Sequence, residues 1–143
     1  MREYNSAEFC SALSHALSAT ARFTARMSLP QLSLSKTSLT GCDGARVHRF
    51  PITSKHPVET TLPARFADTL LTELRASTSE KFLLGASDNT VIAQIGGSVI
   101  TGQKLTLPYP NVDSLLLEPS MLNTDTLEVD VKELSDAIKR VRI

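Results

Sequence analysis

Apolar residues recur at helical spacing in three stretches of the chain. In the first stretch, residues 5–20, the apolar face consists of Phe9, Leu13, Ala16, Leu17 and Thr20. Ser6 is predicted to cap this helix, because its hydroxyl can accept a hydrogen bond from an unpaired amide of the first turn. Glu8 suits the positive end of the same helix.

Two further helices are predicted from the same spacing. The second begins at Pro63, since a proline in the first turn lacks only an N–H that would have no helical partner. Its apolar face consists of Phe66, Ala67, Leu70, Leu71 and Leu74. The third begins at Asp130, with Glu133 completing a pattern typical of a capping box. Its apolar face consists of Val131, Leu134, Ile138 and Val141.

Alternating apolar and polar residues predict strands between these helices. Leu32 and Leu34 point one way and Ser33 the other, and Gly96-Gly97 separates two alternating runs as a hairpin turn would. An Asp43-Gly44 turn precedes a basic strand. The predicted strands cover residues 29–35, 46–52, 58–62, 81–87, 90–95, 98–107 and 126–130.

The order of elements indicates an internal repeat. A helix followed by three or four strands occurs twice, with a period of about sixty residues, and a third helix begins another round. Two such repeats, of βαβββ type and spanning residues 1–55 and 56–120, would form one α+β domain with helices on one face and antiparallel sheet on the other. Residues 121–143 would be a linker, a strand and the first helix of a further domain.

Composition indicates an ordinary globular protein. The 143 residues are 41% apolar and 21% charged, and no run is long enough to cross a bilayer. The start of the chain has no apolar leader, so a cytoplasmic location is expected. Cys10 and Cys42 could form one disulfide or remain free thiols, as a reducing cytosol favours. Residues 1–55 hold seven Lys/Arg against three acids and the remainder eight against twelve, which weakly favours a polyanion-facing side over a chance distribution.

The chemistry-bearing residues do not form an enzyme-like pattern. Ser33 and Lys36 match S-x-x-K, but that serine must open a helix and Ser33 lies in a predicted strand. The three histidines have no neighbouring ligand at zinc spacing. A hydrolase would require Asp43 to meet a histidine or a serine within hydrogen-bond reach. We therefore expect no catalysis, no metal and no cofactor.

Basic residues gather near the predicted helix ends. Cations at helix C-termini are favoured by the helix dipole, which explains many of them without any function. They would also give the helix face a potential that attracts phosphate. The candidate DNA-facing residues are Arg22, Arg26, Arg65, Arg75, Lys139 and Arg140.

The succession of motifs resembles the bacterial sliding clamp, the beta subunit of DNA polymerase III. EFCSALSHALSATA resembles the first helix of its central domain, and TGCDGARV resembles its T-D-G-x-R-L turn. TLPARFADTLLTEL resembles its V-P-x-K-x-x-x-E-L helix. KLTLPYPNVDSLLLEPS resembles its F-P-x-Y segment, and LEVDVKELSDAIKRVRI the start of its third domain. The likeness covers nearly the whole chain.

The resemblance implies a non-catalytic processivity subunit that is counted with the DNA-directed DNA polymerase as part of its holoenzyme. Three-domain subunits of this family close head to tail into a homodimeric ring. The ring encircles double-stranded DNA, with helices lining the hole and sheets outside. Short peptide motifs attach the polymerase III catalytic subunit and the clamp loader. No membrane partner is implied.

The resemblance also carries a peptide-binding pocket to this chain. Its residues here are Leu29, Cys42, Gly44, Arg46, Val47 and Pro119. Cys42 stands where the family usually has threonine, and Ala45 replaces a larger residue. The F-P-x-Y segment reads Tyr109-Pro110-Asn111-Val112, so its second aromatic is missing. An unrelated α+β protein-interaction module is the alternative, and a helix face that is not basic would favour it.

Overall fold

A computed structural model of the protein describes residues 1–21, 30–116 and 127–142. They fall into two compact units, Met1–Val112 and Asp113–Ile143. In chain order, the elements of the first unit are β1 (Arg2–Asn5), α1 (Ser6–Ser18), β2 (Gln31–Leu34), β3 (Ser38–Cys42), β4 (Val47–Pro51), β5 (Thr60–Pro63), α2 (Ala64–Ala76), β6 (Lys81–Ala86), β7 (Thr90–Ile95) and β8 (Ser98–Gln103). The second unit has a 3₁₀ turn (Asp113–Leu115) and α3 (Val131–Val141).

The strands of the first unit form two antiparallel sheets that exchange a strand between the repeats. One sheet has the order β1-β6-β7-β8 and the other β4-β3-β2-β5. The first strand of each repeat therefore lies beside the second strand of the other, with Tyr4 opposite Phe82 and Leu32 opposite Leu62. Neither repeat completes a sheet by itself.

Both helices lie against these sheets and contact each other. α1 packs on β3 and β4, whereas α2 packs on β5 and β8. The apolar faces predicted for both helices are buried, except that Leu71 is half-buried. Tyr4, Phe9 and Phe82 join β1, α1 and β6, with ring centroids 5.0 to 5.8 Å apart. The predicted α+β class, with helices on one face and sheet on the other, is confirmed.

Two glycines allow the helices to come close to the strands. A Cβ added to Gly41 on β3 would overlap the backbone carbonyl of Ala16 on α1. A Cβ on Gly102 of β8 would lie 2.8 Å from the ring of Phe66 on α2. These contacts fix the spacing of the layers, because any larger residue would push the helix outward.

The cap of α1 differs from the prediction. Asn5, not Ser6, is the N-cap, and its Oδ1 accepts a hydrogen bond from the Glu8 amide at 2.9 Å. Ser6 is the first helical residue, because Asn5 still pairs with Lys81 at the end of β1. The Ser6 hydroxyl is buried and has no hydrogen-bond partner among the described residues.

Other element boundaries also differ from the predicted ones. α2 begins at Ala64, with Pro63 as its N-cap, and β8 ends at Gln103 rather than at residue 107. No predicted strand range includes β1 or β3, although the βαβββ pattern implies a strand at each of these places. The strand predicted at residues 126–130 is wrong over 127–130, while residue 126 lies outside the described residues. Leu127 and Val129 are exposed there, and a strand requires a neighbour to accept its hydrogen bonds.

In the second unit, Asp130 caps α3 as predicted. Its Oδ1 accepts a hydrogen bond from the Glu133 amide at 2.9 Å. The predicted apolar face of α3 is exposed to solvent. The division into a central domain (residues 1–120) and the start of another (121–143) stays a prediction.

Candidate functional site

The turn between β3 and β4 is held by its own side chains. Oδ1 of Asp43 accepts hydrogen bonds from the amides of Ala45 and Arg46, at 2.9 and 2.8 Å. Sγ of Cys42 accepts one from the Gly44 amide at 3.3 Å. Gly44 has a φ of 91°, which is a left-handed conformation that favours glycine. Such a turn presents its backbone in a fixed shape.

An ion pair fixes the arginine that follows the turn. Nε and Nη2 of Arg46 donate to Oδ2 of Asp43 at 2.9 and 2.7 Å. The Ala45 amide, the Arg46 guanidinium and the Arg46 amide together lower the pKa of Asp43 to about 2. The carboxylate therefore stays charged at neutral pH, and it pairs with the Arg46 side chain, which is 60% exposed.

A segment after β8, residues 104–112, crosses the outer face of the β4-β3-β2-β5 sheet; we call it the strap. Nε2 of Gln31 donates to the Leu107 carbonyl at 3.1 Å, and the Tyr109 hydroxyl donates to the Thr40 carbonyl at 3.3 Å. Gln31, Thr40 and Cys42 are therefore buried, although they lie on the sheet face opposite the helices.

The end of the strap and the turn share a small apolar cluster. Its buried members are Ala21, Cys42 and Val112, and half-buried Val47 and Tyr109 pack against them. Burial raises the pKa of Tyr109, so its hydroxyl stays protonated and can donate. An aromatic ring thus lies beside the turn even though Val112 occupies the position where the family's F-P-x-Y pattern has tyrosine.

The structure brings four of the six predicted pocket residues together. Cys42 is the last residue of β3, Gly44 and Arg46 lie in the turn, and Val47 begins β4. Leu29 and Pro119 lie outside the described residues. Sequence reasoning missed Tyr109 as a neighbour of this site; its signal was its place in the segment that resembles F-P-x-Y.

The exposed side of α1 and α2 carries few cations. The two helices together contain two arginines, Arg65 and Arg75, and three carboxylates, Glu8, Asp68 and Glu73. Both arginines are exposed, and Nη2 of Arg75 donates to the Ser14 hydroxyl across the two helices at 3.3 Å. On the residues that the structure describes, this face is not strongly positive.

The other predicted DNA-facing residues lie either outside the described residues or in the second unit. Arg22 and Arg26 lie outside the described residues. Lys139 and Arg140 are in the last turn of α3, in the second unit, where Nζ of Lys139 is 3.9 Å from Oδ1 of Asp136.

Arg65 is the cation whose position the helix itself does not explain. It lies in the first turn of α2, which contains no acid, and a positive charge there opposes the helix dipole. Arg75, in the last turn, agrees with the dipole. A residue that acts against the local preference of its helix is a better candidate for function than one that follows it.

Comparisons with known proteins were informative at the level of structure. No family model matches the sequence, and no curated protein matches it. The Caulobacter crescentus beta sliding clamp superposes with a TM-score of 0.81 and 15% identity, covering 98% of this chain and 39% of the clamp. The chain has the sliding-clamp fold.

Two further clamps support this match. The Bartonella birtlesii DnaN sliding clamp, solved bound to griselimycin, gives a TM-score of 0.81 at 16% identity and covers 97% of this chain and 40% of its own. The Thermotoga maritima polymerase III beta subunit gives 0.70 at 17% identity, with 97% and 39% covered. The chain spans about two fifths of the length of these clamps. The resemblance found in the sequence is thereby confirmed at the level of fold.

The described residues of this sliding-clamp fold show no arrangement for metal binding or for the hydrolase alternative. Within residues 1–21, 30–116 and 127–142, no group of three or more His, Cys, Asp or Glu could hold a metal ion. Asp43 is hydrogen-bonded to Ala45 and Arg46, and not to any described histidine or serine. No helix in the described part of the chain is long and apolar enough to cross a membrane.

Proposed function

We propose that this chain is the central part of a sliding clamp, a non-catalytic processivity subunit of the bacterial replicative DNA polymerase III in the cytoplasm. The observation that carries the proposal is the sliding-clamp fold over 98% of the chain. In the complete head-to-tail ring, duplex DNA passes through the hole, and the polymerase and clamp loader bind outside through short peptides.

The DNA contact that we propose is made by the exposed side of α1 and α2. These helices lie side by side on one face of the sheets, so their exposed side chains can meet successive phosphates without reading bases. Arg65 and Arg75 are the cations on this surface, and Arg22, Arg26, Lys139 and Arg140 are the further candidates. Few cations make the contact weak, as sliding requires.

The DNA contact is tested with Arg65→Gln. We expect the variant to bind duplex DNA more weakly at low salt. The slope of the logarithm of the binding constant against the logarithm of the salt concentration should become shallower by about one, which corresponds to the loss of one phosphate contact. Its thermal stability should not fall, because a cation that opposes the helix dipole has been removed. Fluorescence anisotropy of a labelled duplex across a salt series measures the first effect, and thermal denaturation the second.

Lys36→Gln is the matched control for Arg65→Gln. Lys36 is exposed in the β2–β3 turn and belongs to neither helix, so its neutralisation changes net charge equally without altering a residue of α1 or α2. Equal loss of DNA binding in both variants would show that only net charge matters and would remove Arg65 from the contact.

The peptide-binding site that we propose is the β3–β4 turn. Val47 offers an apolar surface, and Gly44, which has no side chain, lets a peptide come close to the backbone. The Arg46 guanidinium, held by Asp43, offers hydrogen-bond donors. Leu29 and Pro119 are further candidates. The solved complex of the Bartonella birtlesii clamp with griselimycin is consistent with a ligand site on this fold.

The peptide site is tested with Arg46→Ala. We expect the affinity for a fluorescein-labelled peptide, carrying the clamp-binding motif of a bacterial polymerase III catalytic subunit, to fall by about 1–3 kcal/mol, because a polar group that pairs with the peptide is lost. Anisotropy titration of the chain measures it. Arg2→Ala, which removes an exposed arginine on β1, should leave the affinity unchanged; unchanged binding by Arg46→Ala itself would exclude Arg46.

One observation favours a second function. α1 and α2 together carry three carboxylates and two arginines, which suits an α+β protein-interaction module with no DNA role. That alternative predicts DNA association that is undetectable, or insensitive to salt, together with intact peptide binding. The two titrations above therefore separate the two functions.

A further inference from the structure

We propose that the ring of Tyr109 forms part of the peptide-binding surface beside the β3–β4 turn, where it receives an apolar side chain of the bound peptide. This inference rests on the proposed peptide-binding function. It adds to the predicted pocket a residue that comes from the strap and not from the turn.

The contacts of Tyr109 place its ring at the site. It packs in one cluster with Cys42 and Val47, two of the residues predicted to line the pocket. The ring is only half-buried, so part of it remains available to a ligand. Val47 and the Tyr109 ring therefore pack against the same apolar cluster beside the turn, and both are partly exposed.

The Tyr109 hydroxyl holds the ring in place. It donates to the backbone carbonyl of Thr40 on β3. Thr40 is buried beneath the strap. A ring that is fixed before binding loses little conformational entropy when a ligand packs on it, and tyrosine has only two side-chain torsions to restrict. Tyr109 is therefore prepared for contact with a peptide.

The surroundings determine which side chain it receives. The neighbours of the ring in the cluster, Ala21, Cys42, Val47 and Val112, are apolar. The charge of Arg49 acts on the Tyr109 hydroxyl, at the polar end of the ring, and Nε of Arg49 donates to Oγ1 of Thr40 at 3.2 Å. The nearby Arg46 is already bound to Asp43, so its charge is balanced. An aliphatic or aromatic peptide side chain fits this surface, with the aromatic one packing on the ring at its edge or face.

The chain carries its own probe and control for this contact. It has two tyrosines, of which Tyr4 is 2% exposed in the core between β1, α1 and β6, remote from the turn. Incorporation of 3-fluorotyrosine gives one fluorine NMR signal for each. Titration with the labelled clamp-binding peptide, in a form without tyrosine, should shift the Tyr109 signal with the same midpoint as the anisotropy curve and leave Tyr4 unchanged.

The other outcomes are distinct. If the peptide binds by anisotropy and the Tyr109 signal does not move, this inference is wrong while the proposed function stands. If the chain shows no peptide binding at any concentration tested, the proposed function and this inference fail together.

Three variants separate direct contact from structural support. Tyr109→Ala should weaken peptide binding by about tenfold, as expected for an aromatic anchor, whereas Tyr109→Phe keeps the ring and should change it by no more than about twofold. Val112→Ala loosens the same cluster from its buried side. If Val112→Ala weakens binding as much as Tyr109→Ala does, Tyr109 merely supports the turn and the proposal is overturned.

Discussion

Asn5 caps α1, whereas the sequence predicted that Ser6 would. Both can cap a helix, but Asn5 has an extended backbone (φ −72°, ψ 126°) and its side chain reaches the amide of Glu8. Ser6 instead turns its hydroxyl into the protein, where it is buried without a partner among the described residues. A buried hydroxyl without a hydrogen bond destabilises the folded state.

These two residues give opposite expectations for substitution by alanine. Asn5→Ala should lower the free energy of unfolding by about 1 kcal/mol, because the first-turn amide loses its acceptor. Ser6→Ala should leave it unchanged or raise it, since no hydrogen bond is lost and alanine favours the helix. Urea denaturation followed by circular dichroism measures both. A larger loss in Ser6→Ala than in Asn5→Ala would show that the serine is the cap.

Single residues near the turn were predictable from sequence to different degrees. The Asp43-Gly44 turn and its position before Arg46 follow from local chemistry, since aspartate binds the amides just after it. Tyr109 could not be placed, because its contact with Thr40 joins positions 69 residues apart and depends on the path of the strap. Residues whose roles depend on distant segments need the fold.

At the scale of elements, Gly41 sets the distance between α1 and β3. Its missing side chain leaves room for the Ala16 carbonyl and for the Thr20 hydroxyl, which donates to that same carbonyl at 2.8 Å. The helix thus lies directly on the strand. Neither helix periodicity nor strand alternation predicts such an approach, because both describe faces and not distances.

Gly41→Ala should lower the free energy of unfolding by about 1–3 kcal/mol, because the new methyl group must displace the backbone of α1. Gly97→Ala is the matched control: its Cβ would meet no atom within 4 Å, and its φ is not positive. That variant should change the stability by less than about 0.5 kcal/mol. Comparable losses in the two would indicate that α1 does not rest on Gly41.

Most elements were predictable from periodicity, whereas β1 and β3 were not. Strands with several alternating apolar residues, such as β7, show their buried side in the sequence. β1 has four residues and buries only Tyr4, so no alternation is visible. What makes it a strand is β6, which supplies partners for all four residues. A short strand that is defined by its neighbour leaves almost no signal of its own.

At the scale of the first unit, the exchange of β1 and β5 couples the two sheets. Tyr4, on β1 of the first repeat, packs with Phe82 on β6 of the second and with Phe9 on α1. In the other sheet, Leu32 on β2 of the first repeat lies opposite Leu62 on β5 of the second. Loss of either exchanged strand therefore exposes core surface of both repeats at once.

We expect Met1–Val112 to unfold in one cooperative transition. Tyr4→Ala should lower its stability by about 3–5 kcal/mol, by removal of a buried aromatic ring. Amide hydrogen exchange should then accelerate in β2 and β3 as much as in β6 and β7. Val99→Ala, on an exposed residue of β8, is the control and should have little effect. Faster exchange confined to the sheet that contains β1 would contradict the coupling.

The exchanged strands also determine how a unit of two sheets can be built from βαβββ repeats. A polypeptide of a single βαβββ unit, with its leading strand unpaired, could complete its sheet only by lending that strand to an identical molecule and receiving one in return. The present chain is equivalent to two such molecules joined covalently. Joining them releases each half from the need to be identical, so one half can carry the Asp43–Arg46 ion pair and the other can end in the strap, which binds the Thr40 carbonyl of the first half.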